Sequence, residues 1–236
     1  MLNNFLNIFF PESCPVCEKP SRSHMTAPIC TACWQSITPY RGPICRKCGK
    51  PLVSDASVTC GSCLKDEPAF NYARSFGLYE GVLKKGLNLL KYHGKKRLAK
   101  PLSDMLLQMG PSSSRQTVEV VVPVPLHYKR LRQREFNQAA LLAKNIAQHL
   151  KAELLMNSLE KIRDTSPQVG MSARERMENV KNAFQVTNPE GIKNKSIVLI
   201  DDVVTTGATI RECAKVLKKS GAGEIYALSL AHGVTD

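Results

Sequence analysis

The 236-residue sequence predicts an α/β protein: a mostly parallel sheet with helices on both faces, preceded by a small cysteine-rich module. Three observations carry this expectation. Eight of the nine cysteines fall within the first 63 residues as four C-x-x-C pairs, and cysteine is then absent until Cys213. Beyond the cysteines, strand-like and helix-like segments alternate. Two strand-like runs, 118–126 and 196–201, are followed by basic and hydroxyl-rich residues respectively, as expected where functional groups emerge from the carboxyl ends of parallel strands.

The cysteine pairs are Cys14/Cys17, Cys30/Cys33, Cys45/Cys48 and Cys60/Cys63. Two thiols separated by two residues can face one ion from a tight knuckle, and two knuckles complete a tetrahedral thiolate shell for zinc, so four knuckles make two sites. Sequential and interleaved pairings both satisfy the count. The stretch CPVCEKP at 14–20 recurs as CRKCGKP at 45–51, and a duplicated unit carrying its own two knuckles favours the sequential pairing. With every position filled by thiolate, the two Zn2+ ions are expected to be structural, stabilising zinc ribbons too small to build much core alone. The sequence carries no export signal, which predicts a reducing, cytoplasmic location, where such cysteines bind metal rather than form disulfides.

Residues 1–10 read as an apolar helix docking on the body, broken by three Asn and stopped by Pro11. No run approaches the ~20 apolar residues of a membrane span. Residues 64–70, LKDEPAF, read as a polar linker, giving an N-terminal unit over 1–67 and a second unit over 68–236. In that second unit the pattern predicts a strand over 74–79, helices over 80–92 and 96–109, a loop at 111–115 and a buried strand over 118–126. A helix over 137–150, a short strand at 153–156, an irregular stretch and a helix over 172–181 follow. The chain closes with strand 196–201, helix 208–219 and strand 224–231. Cys213 falls on the apolar side of its helix and reads as a core residue.

The strongest chemical signal is IVLIDDVVTTGAT at 197–209. Asp201 and Asp202 stand where an apolar strand emerges, and Thr205, Thr206, Gly207, Ala208 and Thr209 open a helix. Unpaired amides and partial positive charge at a helix start attract an anion, and glycine lets the backbone come close. The acid pair suits vicinal hydroxyls or a cation. In VVPVPLHYKRLRQREFNQ, Lys129, Arg130, Arg132 and Arg134 follow a strand, placed to meet a polyanion. The segment 163–184 joins basic, hydroxyl and amide side chains in a loop leading into a helix.

The 197–209 segment resembles the phosphoribosyl pyrophosphate (PRPP) signature of type I phosphoribosyltransferases. With the eight-cysteine start and the segments at 79–99, 121–143 and 163–184, essentially the whole chain resembles the ComF family. The resemblance implies a type I phosphoribosyltransferase-like sheet. It also implies PRPP, or a similar sugar phosphate, bound with Mg2+. Asp201 and Asp202 would be the catalytic pair on the ribose hydroxyls, and Thr205 to Thr209 would surround the 5-phosphate. Lys129, Arg130 and Arg132 would contribute to binding. Pro123, Pro125, Arg130, Arg134, Phe136 to Gln138, Arg163, Gln168, Arg176, Asn179 and Phe184 also match the family. Glu135 departs from it, standing where glycine is more usual. The resemblance implies a role in natural competence and DNA uptake, and it leaves the acceptor open.

The formal net charge is +13. Residues 1–70 hold seven Lys and Arg against five Asp and Glu, so most of the excess belongs to the second unit. A polyanionic ligand accounts for part of it. The run 84–100, with Lys84, Lys85, Lys91, Lys95, Lys96, Arg97 and Lys100 and no acidic residue, supports an alternative. In that reading the chain is a non-catalytic binding module that contacts single-stranded DNA and competence partners such as a helicase.

Overall fold

A computed structural model describes residues 12–109, 117–168 and 170–233. The expected N-terminal helix over 1–10 and the whole loop at 111–115 lie outside them. The cysteine region holds two short helices, α1 (Thr31–Gln35) and α2 (Gly61–Lys65). The body follows as β1 (Tyr72–Leu78), α3 (Gly81–Tyr92), a 3-10 turn (Lys96–Leu98) and α4 (Ala99–Leu107). Next come β2 (Val120–Pro123), α5 (Tyr128–Arg134), α6 (Gln138–Leu150), β3 (Glu153–Leu154) and β4 (Leu159–Lys161). The chain ends with α7 (Ala173–Val180), β5 (Phe184–Val186), β6 (Ile197–Val204), α8 (Ala208–Lys219) and β7 (Ile225–His232).

Five strands form a parallel sheet in the order β1-β7-β6-β2-β3. Successive strand side chains point to opposite faces, so both faces must be covered. Val198 and Ile200 of β6 join a core with Leu83, Leu87 and Leu90 of α3, Leu102 and Leu106 of α4, and Leu142 and Ile146 of α6. The alternate residues Ile197 and Leu199 pack with Ile210, Cys213, Ala214 and Leu217 of α8. Neighbouring strands β2 and β6 therefore send their following helices, α6 and α8, to opposite faces. That arrangement opens a crevice beyond their carboxyl ends, the usual ligand position in parallel sheets.

Several elements differ from the sequence expectation. The strand expected over 118–126 stops at Pro123, because the second proline, Pro125, offers no amide to continue the ladder. Helix α5 was not anticipated: its apolar content is too low to show a period, so the basic residues 129–134 sit on a helix rather than directly on a strand exit. β6 runs on to Val204, since Val203 and Val204 pair with Ala231 and His232, and the acid pair lies within the strand rather than past it. The irregular stretch contains the antiparallel pair β4 and β5, each of three residues. In the segment expected as a polar linker, residues 64–67 are exposed, while Phe70 at its end is buried in the core shared with α8.

Candidate functional site

The cysteines assemble as two tetrads, Cys14/Cys17/Cys30/Cys33 and Cys45/Cys48/Cys60/Cys63, with the sulfurs of each within 4.8 Å of one another. The sequential pairing is the one observed. The duplication extends to the backbone: Cys14 N donates to Lys19 O at 2.9 Å and Cys45 N to Lys50 O at 2.8 Å. Cys30 N lies 3.4 Å from Cys14 Sγ and Cys60 N lies 3.3 Å from Cys45 Sγ. The residue after each first knuckle is left-handed, Glu18 at φ 63° and Gly49 at φ 72°. Sulfur separations of 3.6 Å (Cys17 to Cys30) and 3.5 Å (Cys48 to Cys60) approach the edge of a tetrahedron built on Zn–S bonds of about 2.3 Å. Burial raises the Cys14 thiol, but amides of Cys30, Cys17 and Val16 outweigh it and bring it down to about 6. In the same tetrad Cys33 is pushed up to about 12, chiefly by Cys17 and by burial. A divalent cation relieves that conflict by holding all four sulfurs as thiolates. The donor sets fit structural zinc.

Both tetrads are anchored to the sheet. Cys14 and Ile29 belong to the core under α3, with Trp34 packed against it. The second tetrad lies against β1, where Ala73 N donates to Lys47 O at 2.7 Å. A Cβ on Gly49 would stand 2.5 Å from Ala73 O, so the knuckle approaches the strand more closely than a side chain allows.

The acid pair sits near the carboxyl end of β6. Asp201 Oδ1 accepts from Asp202 N at 2.8 Å, and Asp202 Oδ1 accepts from Val203 N at 2.9 Å. Asp202 is 4% exposed and its Oδ2 meets Lys91 Nζ of α3 at 2.6 Å. Burial alone would lower the Lys91 ammonium, but the Asp202 charge more than reverses it and raises it above the ordinary lysine value. Asp201 is raised well above the usual carboxylate range, first by desolvation and then by the neighbouring Asp202 charge. The pair thus holds one compensated carboxylate beside one that ionises reluctantly, an arrangement that welcomes hydroxyl donors or added positive charge.

Immediately beyond, Gly207 caps α8 at φ 76°, a left-handed geometry favouring glycine. The first amides of α8 have no acceptors within the helix. Thr206 Oγ1 is buried without a hydrogen-bond partner among the described residues. A buried, unpaired hydroxyl beside free helix amides fits an anion that would accept from both. Val204 O accepts from Gly233 N at 2.7 Å, which holds the entrance of the loop against the end of β7.

The basic residues of α5 are placed differently. Lys129 Nζ pairs with Asp164 at 3.2 Å, Arg130 Nη2 reaches Thr165 O at 3.5 Å, and Arg132 lies over the Tyr128 ring. These partners tie α5 to residues 164–165 rather than to the 205–209 loop. Lys161, lowered by burial and then by Arg130, donates to Thr165 Oγ1 at 2.7 Å and completes this second basic group. A cavity of about 790 Å³, lined in part by Pro125, Tyr128, Phe136, Leu141, Met156 and Lys161, opens beside it. Its lining includes neither the acid pair nor the 205–209 loop.

The basic run of 84–100 is partly spent on internal partners. Lys91 belongs to the acid pair, and Lys95 Nζ binds Glu12 at 2.6 Å. The sequence places Lys91 in the basic run offered for contact with single-stranded DNA, and no local signal shows its internal partner, because that partner comes from a strand far along the chain. Arg211 was likewise unforeseen as a link between the second tetrad and α8: its Nη2 lies 2.9 Å from Cys63 Sγ.

Comparison with known proteins agrees with both halves. The family model for a double zinc ribbon domain matches residues 5–64, and that for a phosphoribosyl transferase domain matches residues 137–233. "Competence protein F" of Haemophilus influenzae is 32% identical, over 86% of this chain and 90% of the relative. "DNA utilization protein YhgH" of Salmonella typhimurium is 33% identical, over 91% of this chain and 94% of the relative. "Competence protein ComFC" of Bacillus subtilis is 26% identical, over 82% of this chain and 79% of the relative. Paired cysteine tetrads, a parallel sheet bearing the acid pair and its helix-start loop, and near full-length similarity to two of these proteins converge on one assignment: the chain belongs to the ComF family, a double zinc ribbon joined to a type I phosphoribosyltransferase domain.

Proposed function

We propose that the protein binds PRPP with Mg2+ at the carboxyl end of β6 and acts in natural competence and DNA uptake. The observation that carries the reading is the orphaned Thr206 hydroxyl beside the free amides of α8, directly after Asp201 and Asp202. The 5-phosphate would accept from the 205–209 loop, and the acid pair would hold the ribose hydroxyls. Lys91 fixes Asp202 in place through its 2.6 Å ion pair. Transfer from PRPP displaces pyrophosphate at the anomeric carbon through a transition state with positive charge on the ribose. A fixed acid pair next to that ring stabilises the charge as it develops. Mg2+ would supply charge neutralisation for the leaving pyrophosphate. Lys129 and Arg130 would join it by releasing Asp164 and Thr165, and Arg132 by leaving the Tyr128 ring, since these present partners are exposed or weak. The competence role rests on similarity to Competence protein F and Competence protein ComFC.

The test is calorimetric titration of PRPP into the wild type, with and without Mg2+, and into Asp201→Asn/Asp202→Asn, with transformation frequency measured in parallel. The reading expects Mg-dependent binding that the double variant loses together with transformation. No binding by the wild type would sink it.

A second reading, contact with single-stranded DNA, has one observation in its favour. Arg134 lies 5.2 Å from the centre of the Tyr92 ring, Lys96 lies 4.8 Å from that of Phe136, and Arg132 lies 5.8 Å from that of Tyr128. Tyr92 is 68% and Tyr128 57% exposed, so cations and ring faces alternate where bases could stack. Oligonucleotide affinity that falls steeply with salt and drops in Tyr92→Ala supports this reading; affinity unaffected by either contradicts it.

A further inference from the structure

The metal and ligand regions meet at one side chain. Arg211 stands one turn into α8, and its backbone N donates to the carbonyl of Gly207, the glycine of the anion loop, at 2.9 Å. Its guanidinium is turned the other way, towards the second tetrad. Nη2 lies 2.9 Å from Cys63 Sγ, and Nη1 donates to Asp66 O at 2.8 Å with Asp66 Oδ2 at 3.4 Å. The residue is only 8% exposed. A guanidinium buried this deeply is stable only against negative charge. Four thiolates around one divalent cation leave a net charge of about −2, and the partner carrying it is Cys63. The next residue, Glu212, accepts from Asn182 N at 2.8 Å, so the same turn of α8 also holds the segment entering β5.

We propose that Arg211 is a positioning residue: it binds the outer face of the metal site formed by Cys45, Cys48, Cys60 and Cys63 and thereby fixes the start of α8. Metal binding at that tetrad and ligand binding at residues 205–209 then strengthen each other. Loss of the ion leaves the guanidinium facing free thiols, the turn through Arg211 relaxes, and the amides and Thr206 hydroxyl that form the anion loop lose their alignment. The first tetrad, which has no such contact with α8 among the described residues, does not take part. The ligand half of this proposal rests on the PRPP reading above; the metal half does not.

The test compares wild type, Arg211→Met and Arg211→Lys. Zinc release to a metallochromic chelator is followed with and without PRPP and Mg2+, and PRPP affinity is measured before and after loss of the labile ion. Removing an outer partner of a metal ligand weakens metal affinity by about 10- to 100-fold. Arg211→Met should therefore release one of its two ions at least tenfold faster and leave the other at the wild-type rate. Its PRPP affinity should fall about fivefold or more, within the usual range of coupling between sites. In the wild type PRPP should slow release of that same ion, and in Arg211→Met it should not. Arg211→Lys, which keeps the charge but not the two-pronged reach, should fall between them and supplies the result if the methionine variant does not fold. Unchanged release of both ions in the variants overturns the proposal. So does wild type that binds PRPP equally well with the labile ion present or removed. Wild type that binds no PRPP at all overturns the ligand reading and the coupling with it, a result distinguishable from the others because zinc release is read without ligand.

Discussion

Glu135 ends α5 at φ 64°, in the left-handed region where a side chain is strained and glycine is not. The departure from the family pattern noted in the sequence is thus a departure at a position whose backbone still asks for glycine. Glu135→Gly should stabilise the protein by about 0.5–1 kcal/mol, measured as a shift of the denaturation midpoint. At the acid pair the important residue is Lys91. Replacing it by Met strands the buried Asp202 charge and should destabilise by about 3–5 kcal/mol, most of which adding Asp202→Asn should restore. Asp201 gives a pH signature of definite sign. Its folded value lies above the unfolded one, so between the two the native state holds the extra proton and stability falls as pH rises. Asp201→Asn should accordingly raise Tm at neutral pH, with the gain fading towards about pH 4, while PRPP binding weakens. A gain that instead grew on acidification would contradict this assignment.

At the scale of elements, much of the architecture was legible from local pattern. Knuckle spacing points to both tetrads, because a knuckle is built from neighbours in sequence, and the repeat favours the sequential pairing that the structure shows. The run of Val and Ile in β6 and the amphipathic period of α8 announced themselves in the same way, and with them the acid pair and the loop between them. What failed was short or polar: α5, whose only signal was its charge, and the three-residue strands β4 and β5, fixed by pairing with each other. The end of β6 was misjudged because its last pairs are made with β7. The ribbons present a further prediction at this scale. Gly49→Ala places a methyl group 2.5 Å from the backbone oxygen of Ala73 in a left-handed conformation, so it should push the second knuckle off β1. Its zinc should then be lost to chelator faster than the zinc of the first tetrad, whereas equal rates would show that the contact with β1 is dispensable.

Across the whole molecule, the contacts that matter most join residues far apart in sequence: Lys91 with Asp202, Arg211 with Cys63, and Asn71 Oδ1 with Ile225 N at 3.0 Å. None of these pairings has a local signal, which is why the sequence shows Lys91 only as part of the basic run 84–100 and gives no sign of the role of Arg211. Among the described residues no helix is long and apolar enough to cross a membrane. The formal charge of +13 divides between an internal role, in which Lys91 and Lys95 neutralise buried or nearby carboxylates, and an outer face where Arg132, Arg134 and Lys96 lie over aromatic rings. The central claim is that the loop after β6 is the phosphate site. Hydrogen exchange of the wild type with PRPP and Mg2+, against Mg2+ alone, tests it most directly. The account predicts new protection concentrated at residues 201–211, absent in Asp201→Asn/Asp202→Asn; bound PRPP that leaves those amides unchanged and protects another region would contradict it.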